Sequence, residues 1–419
     1  MNARFSKSIV SVLVIVLFTL ALVPFAGAQE GPKPEAVGLR PDAPPYALHG
    51  PYWVGTRQMI MGQDTDRPLK VTIWYPASNP EGALEEFTYH THMKDPLVPE
   101  DFSPYVNGHA LGDAVADASQ APYPLVVFSH GFGTFGPEYA NLTEHMASYG
   151  FVVLAPEHEE VYDAEMTDLW KAFIERPRDI RETLDFAETL TAAGGAMEGL
   201  IDLDWVAVAG HSAGGYAAVA MGGARYDLSA YNERCAALAP DDPMQFFCNP
   251  IVPREADMAR LAGLDPMPEG LWPSLGDPRV DAILPMAGDS YLFDEAGLAE
   301  ITMPVMALGG TMDIGTPYTW GAEPTYQFAS STQKALVGFE NADHMIFGVT
   351  CDAAPFWGEL DVYWACLDSV WDKARVHDLI NHFTTAFLLA TLKDDADAAA
   401  ALAPEAIAFP GITYEAQGF

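Results

Sequence analysis

Basic side chains are scarce in this sequence. Lysine and arginine together number 21 against 58 aspartates and glutamates, and the formal net charge is −37 at pH 7. A surface of this sign repels the phosphates of nucleic acids and of anionic membranes. We therefore predict no nucleic-acid partner.

Cysteine is also scarce, with only Cys235, Cys248, Cys351 and Cys366. Neither neighbouring pair has the CxxC spacing typical of a zinc site, and no histidine flanks them at ligand distance. In an oxidising compartment an even number of cysteines indicates disulfides, although four cysteines allow three pairings. Because each local pair closes a short loop, we predict the bridges Cys235–Cys248 and Cys351–Cys366, with a zinc site as the alternative.

Long hydrophobic runs are missing after the first part of the chain. Residues 9–25 are nearly all apolar, follow the basic Arg4 and Lys7, and lead to a small-x-small cleavage site that ends at Ala28. This pattern predicts a signal peptide over residues 1–28, cleaved after Ala28, and hence a secreted or periplasmic protein with no stable membrane span after cleavage. An uncleaved anchor is the alternative, because a run of this length lies at the short edge of what spans a bilayer.

The rest of the chain has no internal repeat and no long block of like charges, which indicates one domain with insertions. Residues 29–50 are rich in proline and glycine and predict an extended leader. We place the domain at residues 51–395, with insertions at about 224–280 and 350–372. Residues 396–419 are predicted to form a C-terminal tail.

Strand and helix patterns alternate after residue 122. An antiparallel strand pair is predicted first, at 55–61 and 69–77, followed by loop over 78–120. The later strands are predicted at 125–131, 151–158, 206–212, 281–288, 303–310 and 334–340. The helices are predicted at 138–150, 176–192, 213–223 and 376–392. This alternation indicates the α/β class, with a mainly parallel central sheet flanked by helices.

The strongest chemical signal is the segment GHSAGG from Gly210 to Gly215. The spacing Gly-x-Ser-x-Gly is typical of a strained turn from strand to helix, where glycines are needed because a Cβ would collide with neighbouring backbone. A strand pattern ends at Ser212 and a helix of small residues begins there. We predict Ser212 as a nucleophile, with a structural glycine turn and an idle serine as the alternative.

A serine nucleophile needs a base and a carboxylate that orients it. His344 lies in a short turn just past a predicted strand, and Asp313 follows the strand before that one. The chain order Ser212, Asp313, His344 is the order expected after such a serine turn. Asp289 follows an earlier strand and is the alternative acid.

The loop SHGFG at 129–133 follows the first predicted parallel strand. We predict that the backbone N–H groups of Phe132 and Ala213 stabilise an oxyanion, with His130 as a structural support of the loop. The run EHEE at 157–160 has side chains that metals favour, but its place near the sheet edge favours a polar loop.

Several ordered segments resemble a known family. The segments at 124–135, 146–160 and 202–215 resemble the platelet-activating-factor acetylhydrolases and the bacterial group called predicted dienelactone hydrolases. The segments at 303–313 and 342–351 look like the bacterial branch.

The resemblance covers about residues 52–392. It implies an α/β-hydrolase fold and hydrolysis of esters with short or modest acyl groups through Ser212, Asp313 and His344, with no cofactor and no metal. Two features depart from it. Dienelactone hydrolases use a cysteine nucleophile, and the eukaryotic acetylhydrolases take their acid from the strand end that here carries Asp289.

The sequence therefore predicts a secreted serine carboxylic-ester hydrolase that acts on a small-molecule or lipid-like ester. A secreted polyesterase, cutinase or lipase-like enzyme is the nearest alternative enzyme. A catalytically inactive hydrolase-fold binding protein is the alternative outside the enzymes. The sequence carries no prediction of oligomeric state.

Overall fold

The computed structural model describes residues 32–91, 102–160, 167–242 and 244–419. The predicted signal peptide at 1–28 lies outside the described residues. In the described chain the strands, numbered β1 to β12 in order, are Trp53–Met61, Leu69–Ala77, Phe87–His90, Tyr105–Gly108, Leu111–Gly112, Tyr123–Ser129, Val152–Pro156, Ile201–His211, Ala282–Met286, Val305–Gly310, Lys334–Phe339 and Ile412–Gln417.

The helices of the same ranges alternate with these strands over the central part of the chain. Numbered α1 to α11, they are Ala140–Ser148, Leu169–Thr191, Ala213–Met221, Leu228–Ala237, Gln245–Ile251, Glu255–Leu261, Glu295–Leu298, Ala322–Phe328, Phe356–Glu359, Lys373–Leu392 and Ala396–Ala401. None of these helices combines the length and apolar character that a membrane crossing requires.

Ten strands form one sheet in the order β12-β11-β10-β9-β8-β6-β7-β2-β1-β5. The strands from β7 to β11 in this order are mutually parallel, whereas β2, β1 and β12 join by antiparallel pairing. The central strands β6, β7, β9 and β10 are buried along their whole length. Strands covered on both faces are near-continuous apolar runs, which is why these segments carry a clear signal. The predicted α/β class and parallel sheet are confirmed.

Two apolar clusters cover the two faces of the sheet. Because side chains alternate along a strand, Val127 of β6 joins the cluster with Leu184 of α2, whereas Val126 joins the cluster with Phe383 of α10. Helices α2 and α3 lie on the first face, and α1 and α10 lie on the second. The carboxyl ends of the parallel strands are therefore held between two packed layers.

Three short strands replace part of the predicted loop at 78–120. Strands β3 and β4 form a separate antiparallel pair, and β5 adds to the edge of the main sheet beside β1. These strands are two to four residues long, too short for an alternating pattern to stand out. Tertiary contacts stabilise the pair, since Tyr89 is buried and its hydroxyl accepts a hydrogen bond of 2.7 Å from Trp74.

Both predicted terminal segments pack onto the domain. In the described part of the leader, the N–H groups of Leu39 and Arg40 donate hydrogen bonds of 2.9 Å to Asp378 on α10. The segment predicted as a C-terminal tail, residues 396–419, forms α11 and then β12, the antiparallel edge strand of the main sheet. Helix α2 also begins earlier than predicted, at Leu169.

The two predicted disulfides are confirmed. Cys235 and Cys248 join α4 to α5 with their Cα atoms 5.7 Å apart, inside the insertion at 224–280. Cys351 and Cys366 are joined across a Cα separation of 4.9 Å. The second bridge lies between the turn that carries His344 and the start of α10.

Replacing Cys351 and Cys366 by serine should lower both the melting temperature and the rate of ester hydrolysis. Each bridge closes a loop of about a dozen residues, so chain entropy contributes on the order of 3 kcal/mol at most. Because this bridge borders the turn of His344, its loss should also loosen that turn. Thermal melting and initial rates on p-nitrophenyl acetate measure the two effects.

Replacing Cys235 and Cys248 by serine is the matched control, and it should mainly change substrate preference. Equal losses of activity in the two double variants would contradict this assignment. Peptide mapping of the unreduced protein checks the pairing directly, and a crossed bridge such as Cys248–Cys351 would overturn it.

Candidate active site

Ser212 occupies the turn between β8 and α3. Its backbone has φ 58° and ψ −124°. Residues other than glycine rarely adopt this conformation, and where they do it is typically at a functional site. The N–H of Ser212 donates a hydrogen bond of 2.9 Å to Met286 O at the end of β9. The turn is therefore fixed from the side of the neighbouring strand.

The glycines around Ser212 are required by close contact between backbones. A Cβ on Gly210 would lie 2.5 Å from Gly214 O, and a Cβ on Gly215 would lie 2.7 Å from the Cα of Gly288. A Cβ on Gly214 would overlap Ser129 O at the end of β6. Side chains cannot fit where the ends of β6 and β9 approach the turn this closely.

His344 begins a short 3₁₀ turn after β11, and Asp313 lies in the turn after β10. The His344 Nδ1–H donates a hydrogen bond of 2.8 Å to Asp313 Oδ2. The other carboxylate oxygen of Asp313 accepts hydrogen bonds from the N–H groups of Gly315 (2.8 Å) and Thr316 (2.7 Å). With its Nδ1 proton held by Asp313, the neutral ring has Nε2 as its basic nitrogen.

The environment of His344 favours its protonated form. Burial alone would lower the pKa of His344, but the charge and hydrogen bond of Asp313 raise it more, and Asp289 and Asp343 raise it further. The net result is a pKa above the ordinary histidine value. A base of this kind is neutral only as the pH rises through that pKa.

The alternative acid Asp289 is buried after β9 and is not bonded to His344. Its Oδ1 has no hydrogen-bond partner within the described ranges. Burial raises the pKa of Asp289 to about 8, with the charge of Asp313 adding to the effect and that of His344 opposing it. The structure thus pairs His344 with Asp313, and it leaves Asp289 as a largely protonated carboxyl nearby.

His211 is a site residue that the sequence analysis missed. The Tyr139 hydroxyl donates to His211 Nδ1 at 2.8 Å, and His211 Nε2–H donates to His344 O at 3.0 Å. Burial holds the pKa of His211 well below the ordinary value, so the ring is neutral, as these bonds require. Because His211 directly precedes Ser212, this bond joins the histidine turn to the serine turn.

The loop after β6 runs beside the serine turn, since Ser129 of β6 pairs with Gly210 of β8. Phe132 lies buried in this loop. At the serine turn, Ser212 O accepts the first hydrogen bond of α3 from Tyr216 N–H at 2.9 Å. The N–H of Ala213 lies across the same planar peptide unit and therefore points the opposite way, out of the helix N-terminus.

His130 supports this loop. Its Nδ1–H donates to Gly131 O at 2.7 Å, and its Nε2 accepts from His158 N–H at 3.0 Å. Residues 157–160 form a loop, as predicted, but the side chains of His158 and Glu160 are buried in it. Among the residues described, no group of three or more histidine, cysteine, aspartate or glutamate side chains is placed to hold a metal ion.

The buried partners of this segment lie on α2, and they too were missed. Arg176 pairs with Glu160, and Asp179 pairs with His158. A signal for Arg176 was present in the sequence, because it precedes Ile180 by four residues. It therefore lies on the stripe of α2 that is otherwise apolar.

A cavity of about 200 Å³ opens at the carboxyl edge of the sheet. Its walls include Tyr291 from the segment after β9, Trp320 from the segment after β10, and Arg234 of α4. The insertion at 224–280 thus supplies part of the wall of a cavity near the strand ends.

Comparisons with known proteins agree with this architecture. Residues 114–245 match the family model described as Chlorophyllase. The solved structure of a ferulic acid esterase from Streptomyces cinnamoneus superposes with a TM-score of 0.52 at 20% identity, over 86% of this chain and 95% of that one. The chain has the α/β-hydrolase fold.

Curated relatives of this α/β-hydrolase-fold chain match it over shorter stretches. The chain is 28% identical to platelet-activating factor acetylhydrolase of Cavia porcellus (27% of this chain, 28% of the relative) and 32% identical to that of Gallus gallus (26% and 29%). It is 24% identical to a cutinase of Thermobifida alba (54% and 55%). The chain thus spans between 28% and 55% of the length of these relatives, and the predicted resemblance is confirmed.

Asp313→Asn should lower kcat by about 10⁴-fold, as in other triads. It should also move the acid limb of the kcat/KM profile to lower pH. His344 as the predicted base must be neutral to act, so activity should rise with pH through the pKa of His344, which the charge and hydrogen bond of Asp313 raise. Rates on p-nitrophenyl acetate between pH 5 and 9 measure both effects.

Asp289→Asn is the matched control. The amide has the shape of the protonated carboxyl, so kcat at pH 7 should change little. If Asp289→Asn lowered kcat far more than Asp313→Asn, the acid would be Asp289, after β9.

Proposed function

We propose that this protein is a secreted serine carboxylic-ester hydrolase that acts through Ser212, His344 and Asp313. The proposal is carried by the strained backbone of Ser212 together with the hydrogen-bonded Asp313–His344 pair. His211, next to Ser212, bonds to His344 O and so supports the closeness of the two turns. Relatives named as platelet-activating factor acetylhydrolase and cutinase agree with ester chemistry.

The reaction has two halves. Ser212 Oγ attacks the ester carbonyl while His344 Nε2 takes its proton, and the resulting imidazolium is stabilised by Asp313. The oxyanion is stabilised by the N–H groups of Phe132 and Ala213, and such a donor is worth about 2.7–4 kcal/mol when removed. The alcohol then leaves with the proton from His344, which next activates water to release the acid and restore Ser212. This sequence uses no cofactor and no metal.

Short to medium acyl esters are the proposed substrates, taken from small-molecule or lipid-like esters. Relatives named as platelet-activating factor acetylhydrolase support an acyl group of limited size. Polyester hydrolysis is the second candidate, favoured by the match to a cutinase over 54% of the chain. Rates on p-nitrophenyl esters from acetate to palmitate, and on a polyester film, separate the two.

Secretion is part of the proposal. The signal-peptide pattern at 1–28 supports it, and so do two disulfides, which persist in oxidising compartments. The N-terminal sequence of the exported protein tests it, and we expect the mature chain to begin at Gln29.

Ser212→Ala should abolish ester hydrolysis and leave the melting temperature nearly unchanged, because it removes only a half-buried hydroxyl. A fluorophosphonate probe should label the wild-type protein covalently and leave the variant unlabelled. Wild-type protein that cleaves esters yet ignores the probe would overturn the serine mechanism. Folded protein that binds esters without cleaving them would instead indicate the inactive binding protein.

A further inference from the structure

Arg176 is a charged side chain enclosed under the loop that follows β6. It lies on α2 with 0% of its surface exposed. Its Nε and Nη2 donate to the two carboxylate oxygens of Glu160 at 2.5 and 2.6 Å. The fork geometry of this pair fixes the plane of the guanidinium, so the remaining N–H groups have defined directions.

Those remaining N–H groups reach the backbone of the loop. Arg176 Nη2 donates to Gly131 O at 3.1 Å, and Nη1 donates to His130 O and, at 3.2 Å, to Ser129 Oγ. One buried side chain thus binds three consecutive residues. An enclosed ion pair adds little stability relative to apolar packing, which leaves the binding of these carbonyls as its distinctive contribution.

The direction of a carbonyl fixes the direction of the N–H that follows it. A peptide unit is planar and trans, so the N–H of Phe132 points away from the C=O of Gly131. That carbonyl also accepts from His130 Nδ1 at 2.7 Å, from Thr134 Oγ1 at 3.0 Å and from the Thr134 N–H at 3.3 Å. We propose that Arg176 is a positioning residue, an inference that rests on the proposed function. By holding the Gly131 carbonyl, Arg176 orients the Phe132 N–H toward the oxyanion.

A second charged pair completes the same buried network. Ser129 Oγ donates to His158 Nε2 at 2.9 Å, and His158 Nδ1 donates to Asp179 at 2.9 Å. Arg67 makes two hydrogen bonds of 2.9 Å to Asp179. Arg67 belongs to the network without a bond to the loop carbonyls, and it therefore provides a matched control.

The test compares the double variant Arg176→Gln/Glu160→Gln with Arg67→Gln. Removing both charges avoids leaving Glu160 buried and unpaired. The double variant should lose about 10²-fold in kcat, as expected when a donor is misdirected, with KM changed only a few-fold. Its affinity for an alkyl boronic acid, which forms a tetrahedral adduct with the serine, should fall by a similar factor.

Arg67→Gln should lower the melting temperature but leave kcat and boronate affinity within a few-fold of wild type. If Arg176 had only a structural role, kcat and boronate affinity would fall by similar factors in the double variant and in Arg67→Gln. The proposal is overturned if the folded double variant keeps wild-type kcat and boronate affinity, or if Arg67→Gln loses as much. Should the double variant fail to fold, Arg176→Lys replaces it. This variant keeps the positive charge but lacks the forked guanidinium, so we expect a smaller loss of kcat, again with KM changed only a few-fold.

Hydrogen exchange separates this proposal from the proposed function. Amides of residues 130–134 should exchange faster in the double variant than in wild type, and Arg67→Gln should resemble wild type. If the wild-type protein hydrolyses no ester, the proposed function fails while this measurement still tests the hold of Arg176 on the loop. Unchanged exchange in the double variant would overturn it.

Discussion

The close approach of three backbone segments at the serine turn is the constraint on which the site depends. The ends of β6 and β9 lie so near the start of α3 that Gly210, Gly214 and Gly215 leave no room for a Cβ. This contact holds Ser212 in a left-handed conformation that an isolated chain would seldom adopt. Two packed helical layers around the parallel sheet fix the three segments relative to one another.

Buried basic side chains bind loop carbonyls on both sides of this turn. Arg176 donates hydrogen bonds to two carbonyl oxygens of the loop after β6. On the other side, Lys373 Nζ donates to Met345 O, Ile346 O and Gly348 O at 2.8, 3.1 and 2.6 Å, in the turn that begins with His344. In each loop the carbonyls turn toward an enclosed basic side chain, which gives an irregular segment a defined backbone. Loops held this way can keep functional groups in place without regular secondary structure.

Local patterns in the sequence were sufficient for the central sheet and the serine turn. Buried parallel strands are continuous apolar runs, and the turn around Ser212 needs glycines at fixed spacing, so both signals are short-range. The short strands β3 to β5 and the edge strand β12 depend on distant pairing partners, and their own sequences carry little periodicity. The hydrogen bond between Asp313 and His344 also required the structure, because Asp313 and Asp289 both follow strands of the same sheet.

The residues that sequence reasoning missed are polar groups whose partners lie far away in the chain. Arg176 binds Glu160 and Gly131, and His211 binds Tyr139 and His344, so the role of neither follows from its neighbours in the sequence. Arg176 nevertheless left a trace, as a charge on the apolar stripe of a helix. A charge that is enclosed without a partner is strongly unfavourable, so its presence on such a stripe implies a partner across the core. In this fold the partners of Arg176 include the backbone beside the serine turn, and the charge on the apolar stripe therefore pointed to the candidate site.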